Sequence, residues 1–128
     1  MKLSNQALLN SIPVLSKLNQ LELPVKVAFM LSKNIKEIDK GLEGYNETRK
    51  KLLFQYAEKD DEGMPKVDEQ GNIIFKEGFQ EKWVRDFQEL LELKTDVGIQ
   101  KISTHDLFKA ELSISPLELA TIGFMIKE

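Results

Sequence analysis

Residues 24–59, PVKVAFMLSKNIKEIDKGLEGYNETRKKLLFQYAEK, form the stretch that decides the fold. Apolar residues recur there at alternating steps of three and four, which predicts one long amphipathic helix with a heptad seam. Pro24 suits the first turn of such a helix, where no backbone N–H is needed. The seam consists of Ala28, Leu31, Ile35, Ile38, Leu42, Tyr45, Arg49, Leu52 and Tyr56. Arg49 is thus a charged residue on an otherwise apolar stripe.

Two glycines, Gly41 and Gly44, fall in the middle of this predicted helix. Each costs about 1 kcal/mol relative to alanine in a helix interior. They indicate either that the helix bends or breaks there, or that a neighbouring backbone approaches closely. An unbroken helix would be about 50 Å long. Because a globule of this size does not need such a length, we expect a break or an oligomer.

The flanking segments predict more helix. Residues 1–23 favour a short helical lead-in that is interrupted at Pro13, since proline disfavours helix at the residue before it. Residues 77–94 predict a second amphipathic helix that packs against the long one. Ser115, Pro116 and Glu118 predict a capped helix start. The residues that follow are apolar nearly all round, so we expect this last helix to be inserted in the core or covered by a partner subunit.

A small antiparallel sheet is expected between the helices. Residues 66–76 predict a β-hairpin whose turn contains Gly71. Residues 95–102 predict a short strand that joins the hairpin as its third strand. No internal repeat is visible. The sequence therefore predicts a mostly helical α+β fold in a single domain of residues 1–128, with residues 1–23 as an N-terminal helical arm and residues 24–128 as the core.

Charge is unevenly distributed along the chain, whose net charge is −3. Residues 24–59 carry eight basic and five acidic residues, whereas residues 60–96 carry five basic and eleven acidic ones. The acidic half argues against a protein dedicated to duplex DNA, which normally presents a basic face. The asymmetry fits either a solvated surface or contact between the basic helix of one subunit and the acidic face of another.

Few residues point to catalysis. The chain has no cysteine, which excludes disulfides and thiolate nucleophiles and fits a reducing cytoplasm. Its one histidine, His105, lies beside Asp106, but a turn histidine explains it better than a catalytic dyad does. No phosphate-binding glycine loop is present. We therefore expect no enzyme, no cofactor and no metal site. Neither a signal peptide nor an apolar run long enough to span a membrane is visible.

The residues best suited to a ligand are basic and aromatic. A guanidinium near aromatic rings can bind a phosphate and stack on a base. Alternatively, Arg49 pairs with a carboxylate at an interface, and Trp83 belongs to the core. The predicted ligand-binding residues are Arg49, Lys50, Tyr56, Trp83 and Arg85.

From residue 24 to its end the chain resembles a family of small uncharacterised proteins of tailed bacteriophages and prophages. The resemblance lies in the order LPVKVAFMLSKNIKEI, ETRKKLLFQYAEKDDEG, a hairpin, FQEKWVRDFQELLE, VGIQKISTHDL and SISPLELATIGFMI. It rests on structural patterns, and the family has no catalytic residues to transfer. It implies a viral protein that acts in the host cytoplasm.

Two non-enzymatic functions follow as hypotheses, beside a third, a small hydrolase that would use His105. The first is a non-enzymatic accessory protein that counters host defence, in one version a homo-oligomeric sponge that sequesters a nucleotide immune signal between its subunits. The second is a virion structural or assembly protein that acts through protein–protein contacts. Both expect a homo-oligomer, because the seam and the closing helix offer more apolar surface than one short chain readily covers.

Overall fold

The computed structural model describes residues 1–127 of the chain, which divide into two compact units. Unit 1 contains Met1–Leu42 together with the described residues from Lys94 onward, and unit 2 contains Glu43–Leu93. Helices dominate both units, and short paired strands accompany them. The predicted α+β, mostly helical class is confirmed. The prediction of a single domain stays a prediction.

Unit 1 is built on two packed helices, α1 (Asn5–Asn19) and α2 (Val25–Gly41). Ser4 caps α1 by accepting a hydrogen bond from the Ala7 N–H at 3.1 Å. The predicted interruption at Pro13 is wrong, because α1 continues through it. Pro13 faces solvent, while apolar residues before and after it are buried and hold both halves of α1 in place. These buried residues are Leu8, Val14, Leu15 and Leu18.

The strands of unit 1 join segments that are distant in sequence. Strand β1 (Lys2–Ser4) pairs antiparallel with β2 (Lys94–Asp96), with Leu3 opposite Thr95. The expected pairing of residues 95–102 with the hairpin is therefore wrong. A second pair is parallel and joins β3 (Ile102–Ser103) to β4 (Ile126–Lys127).

The predicted long helix is interrupted at Leu42, between the end of α2 at Gly41 and the start of α3 (Glu43–Tyr56). Close approach also occurs here, because a Cβ on Gly41 would lie 2.6 Å from the Cγ1 of Val97. The expected break is therefore present, at Leu42, whereas the close neighbours of Gly41 are side chains and not the backbone that the sequence led us to expect. At Gly44 a Cβ would meet nothing within 4 Å.

Unit 2 combines α3 with α4 (Gln80–Glu92), and a three-way β junction connects the two helices. Three backbone hydrogen bonds close a ring in the junction: Glu58 N–H to Ile74 O at 2.8 Å, Lys66 N–H to Glu58 O at 2.7 Å, and Ile74 N–H to Lys66 O at 2.9 Å. Two loops leave this ring. The second contains the Val67–Ile73 bridge, so the predicted hairpin exists only as a short antiparallel contact.

The two loops of the junction are repeats of each other, eight residues apart. In each, one aspartate Oδ1 accepts two backbone N–H groups: Asp60 from Glu62 and Met64, and Asp68 from Gln70 and Asn72. Gly63 and Gly71 stand at equivalent places with φ of 80° and 82°, which glycine adopts without strain. No repeat is evident from the sequence alone. The repeat is short, and it conserves little beyond the Asp-x-x-Gly turn.

The C-terminal part of unit 1 contains α5 (Thr104–Lys109), α6 (Pro116–Thr121) and a 3₁₀ turn (Gly123–Met125). The predicted capping box at Ser115 and Glu118 is present. The expected inserted apolar helix is not, because α6 ends after six residues and none of them is buried. The buried apolar residues come later, at Ile122 and Met125.

Candidate functional site

An aromatic cluster occupies the middle of unit 2 and contains two of the predicted ligand-binding residues. Trp83 stacks on Phe87 with ring centroids 5.0 Å apart, and its ring lies 5.6 Å from that of Phe75. Tyr56, at the end of α3, stacks on Phe79 at 5.6 Å. Two aromatic rings therefore contact the indole, so Trp83 packs within unit 2.

The hydroxyl of Tyr56 is engaged within the same cluster. It donates a hydrogen bond of 2.6 Å to Oδ2 of Asp86. This bond raises the pKa of Tyr56 above its usual 10.0, and burial and the negative charge of Asp86 act in the same direction. The Lys82 ammonium lies 5.5 Å from the centre of the tyrosine ring. Tyr56 is thus oriented by α4 and offers no free hydroxyl proton to a ligand.

We expect the ionisation of Tyr56 to reveal this bond directly. Because its folded pKa is raised, the bond stabilises the fold below the usual tyrosine pKa, and that contribution is lost as pH rises through the folded value. The chain has two tyrosines, so Tyr45→Phe leaves Tyr56 as the only reporter. Ultraviolet titration of tyrosinate in this variant should give a midpoint above that of free tyrosine. Adding Asp86→Asn should lower the midpoint, and an unchanged midpoint would contradict the bond.

The basic residues of the predicted site lie elsewhere on α3 and α4. Arg49 is exposed, and within residues 1–127 its side chain has neither a hydrogen bond nor an ion pair. Because the Arg49 side chain is exposed to solvent, its charge needs no buried partner. Lys50 is exposed with its ammonium 5.9 Å from the ring centre of Phe54. Arg85 is exposed, close enough to Tyr56 for its charge to oppose the raised pKa.

The structure thus brings Tyr56 and Trp83 into one cluster and leaves Arg49, Lys50 and Arg85 on the surface. Whether these five residues bind a ligand stays a prediction. Neither of the two surface pockets described below contains any of them.

A concave surface that the sequence did not predict lies in unit 1. This C-terminal groove has a volume of about 590 Å³ and is open to solvent. Its lining is apolar apart from Thr104 and Glu111, and it comprises Thr104, Leu107, Phe108, Glu111, Leu112, Ile114, Pro116, Leu119, Ala120, Ile122, Gly123 and Ile126. A smaller pocket of about 160 Å³ lies between α1 and α2.

Three local features shape the C-terminal groove. Ser103 caps α5 by accepting the Asp106 N–H at 3.1 Å. Glu111 has φ of 51°, a left-handed conformation that turns the chain sharply after α5. The Glu118 carboxylate forms an ion pair with the Lys17 ammonium of α1 at 3.1 Å, and this pair holds α6 against α1. The hydrogen bond from the Ser115 backbone N–H, and after it the bond from Lys17, lower the pKa of Glu118.

The sequence did not predict the groove, because the apolar residues after Pro116 were expected to be inserted in the core or covered by a partner subunit. Phe108 is 79% exposed, Leu117 78% and Leu119 44%. The only indication in the sequence was the run of apolar residues that follows the capped helix start at Ser115. Because α6 ends at Thr121 and none of its residues is buried, these apolar residues form an open surface and not a buried helix.

His105 and Asp106, the two residues considered as a catalytic dyad, belong to α5. His105 is exposed at the start of α5. The Asp106 carboxylate forms an ion pair with the Lys26 ammonium at 3.1 Å. The hydrogen bond from Lys26, and after it a hydrogen bond from the Ser103 hydroxyl to the same carboxyl group, lower the pKa of Asp106. In the part of the chain that the structure describes, no group of three or more histidine or acidic side chains is placed to hold a metal ion. No helix within residues 1–127 has the length and apolarity needed to cross a membrane.

Comparison with known proteins gave no match to a family model, a curated protein or a solved structure.

Proposed function

We propose that this chain is a non-enzymatic bacteriophage protein that acts in the host cytoplasm as a structural or assembly component, through protein–protein contacts. The observation that carries the proposal is the C-terminal groove. It combines an apolar cavity of about 590 Å³ with protruding apolar side chains, of which Phe108 is the most exposed. Contiguous apolar surface of this kind marks sites of protein contact.

The composition of the groove favours a protein over a small molecule. Small-molecule sites usually place several polar groups so that they converge on the ligand. This groove offers only Thr104 and Glu111 among its lining residues. A paucity of charge at the centre and exposed aromatic and aliphatic residues are typical of the core of a protein interface. The phage context comes from the sequence resemblance.

The test is complementation of a phage that lacks the gene. Wild-type protein should restore the yield of particles, whereas the groove variant Phe108→Ser/Leu119→Ser should reduce it strongly, because both residues would lie in the interface core. Val84→Ser is the matched control, since Val84 is an exposed apolar residue of unit 2. Circular dichroism checks that each variant folds. A normal particle yield from the groove variant would contradict the proposal.

A second candidate is the sponge that sequesters a nucleotide immune signal. It is supported by the exposed run of Arg49, Lys50 and Lys51 on α3, whose side chains have no ion pairs within residues 1–127. Phe54 lies beneath Lys50 and provides an aromatic neighbour. Because these residues lie on an open surface, a pocket would need a second subunit to close it.

Native mass spectrometry of protein purified from infected cells tests this candidate. A sponge should carry an extra mass of nucleotide size, and Arg49→Ala should lose it because a phosphate contact is removed. Lys40→Ala is the control, since Lys40 is also exposed but belongs to α2. If Arg49→Ala retained the extra mass, Arg49 would be removed from the site.

A further inference from the structure

Unit 2 is an insertion whose two ends meet within unit 1. The chain leaves unit 1 after Leu42 and returns to it at Lys94. Gly41 and Thr95 are the residues next to these two crossing points, and a Cβ on Gly41 would lie 3.4 Å from the Cγ2 of Thr95. The chain therefore leaves and re-enters unit 1 at neighbouring places. Insertions are tolerated at such places, because the host fold does not depend on the inserted segment to bring its own parts together.

Unit 1 is held closed by bonds between the chain segments that precede and follow unit 2. Strand β1 pairs with β2, and the Asn34 side chain exchanges two hydrogen bonds with the Gln100 backbone at 2.9 and 2.8 Å. The Lys17–Glu118 ion pair joins the same two segments. Both segments also supply fully buried apolar side chains: Leu8, Leu18, Leu31, Ile102, Ile122 and Met125. Unit 1 thus has a core and a set of closing bonds of its own.

Unit 2 closes on itself around a smaller core. The Tyr56–Asp86 hydrogen bond of 2.6 Å joins α3 to α4. The Lys76 N–H donates to the Tyr56 carbonyl at 3.0 Å and joins the β junction to the end of α3. The buried apolar residues of unit 2 are fewer than those of unit 1 and consist of Tyr45, Leu53, Tyr56, Ala57 and Leu90. Because a short segment that buries so few apolar side chains is only marginally stable, unit 2 should open before unit 1.

We propose that unit 2 opens as one cooperative unit while unit 1 stays folded. The chain then has a partly open form in which α3, α4 and the β junction are unfolded and the C-terminal groove is intact. Proteins open in such contiguous units, and the unit with the fewest buried apolar contacts opens at the lowest free energy. The opening does not spread to unit 1, because the segments on either side of unit 2 remain bonded to each other. This opening divides residues 1–128 into two cooperative units, in place of the single domain that the sequence predicts.

Hydrogen exchange measured by mass spectrometry in dilute urea gives the first readout. In the wild-type chain the protected amides of α3 and α4 should exchange faster than those of α1 and α2. Leu53→Ala should speed exchange in α3 and α4 at least about 30-fold and leave α1 and α2 unchanged, because it deletes buried methyl groups of unit 2 alone. Tyr56→Phe is its milder companion and should speed the same amides about tenfold, since it removes only the bond to Asp86. Asn34→Leu should speed exchange only in α1 and α2. Equal acceleration in both units by either Leu53→Ala or Asn34→Leu would overturn the proposal.

Limited digestion of the full chain with trypsin gives the second readout. Trypsin cleaves after lysine and arginine, and α3 exposes Arg49, Lys50 and Lys51. The first cuts should fall in unit 2, although α2 also exposes Lys33 and Lys40, because a helix must open before a protease can cleave it. The two pieces that flank unit 2 should then stay together in native mass spectrometry, since β1 pairs with β2, and should separate in denaturant. First cuts in α2, or pieces that separate as soon as unit 2 is cut, would contradict the independent opening.

Discussion

Gly41→Ala is expected to destabilise unit 1, although alanine is the better helix former. The new Cβ would lie 2.6 Å from the Cγ1 of Val97 and 3.4 Å from the Cγ2 of Thr95. Both neighbours are β-branched and therefore stiff about χ1, and Val97 is buried. Such overpacking costs about 1–3 kcal/mol. Because Gly41 is the last residue of α2, little of the helix-propensity gain of about 1 kcal/mol offsets this cost.

Urea unfolding of three further variants checks the cause. Gly44→Ala is the matched control, since its Cβ meets nothing within 4 Å, and it should stabilise unit 2 by up to about 1 kcal/mol. Val97→Ala should cost stability in the wild-type background but much less beside Gly41→Ala, because it removes the clashing methyl. Equal costs of Val97→Ala in both backgrounds would show that the close approach is not what selects glycine.

Local signals in the sequence predicted individual elements well. The capping box at Ser115 and Glu118 and the amphipathic stripe of α4 need only residues within a few positions of each other. The pairing of β1 with β2 was not predictable in this way, because the strands are about 90 residues apart and short enough to carry no alternation pattern. The interruption predicted at Pro13 is wrong for a related reason, because residues that are buried before and after Pro13 keep α1 continuous.

The candidate site was less predictable than the fold. Arg49 keeps its place on the stripe of α3 that includes Tyr45 and Tyr56, as the spacing predicts. Its side chain is nevertheless exposed, because a long arginine can extend its guanidinium to water. Spacing gives the face of a residue but not what covers that face. For the same reason the sequence did not predict the C-terminal groove, where apolar residues such as Leu119 are exposed.

Asn34→Leu is expected to destabilise unit 1 by about 2–4 kcal/mol, because it leaves two backbone groups without partners. Asn34 is fully buried on the side of α2 that packs into the core of unit 1. Its Nδ2 donates to the Gln100 carbonyl at 2.9 Å, and its Oδ1 accepts the Gln100 N–H at 2.8 Å. Leucine fills a similar space but makes neither bond. Urea unfolding measures the loss, and a change below about 0.5 kcal/mol would contradict the role of the amide.

Asn34→Asp separates hydrogen bonding from packing at the same position. A carboxylate still accepts the Gln100 N–H but cannot donate to the Gln100 carbonyl. Burial and the facing carbonyl should raise the pKa of this aspartate, since only the protonated form can donate. A raised folded pKa stabilises the fold below the unfolded value, and that stability is lost as pH rises through the folded pKa. Asn34→Asp should therefore lose stability relative to wild type between acidic and neutral pH, whereas the deficit of Asn34→Leu should not depend on pH. Parallel pH profiles for the two variants would show that packing, not the amide bonds, holds Gln100 against α2.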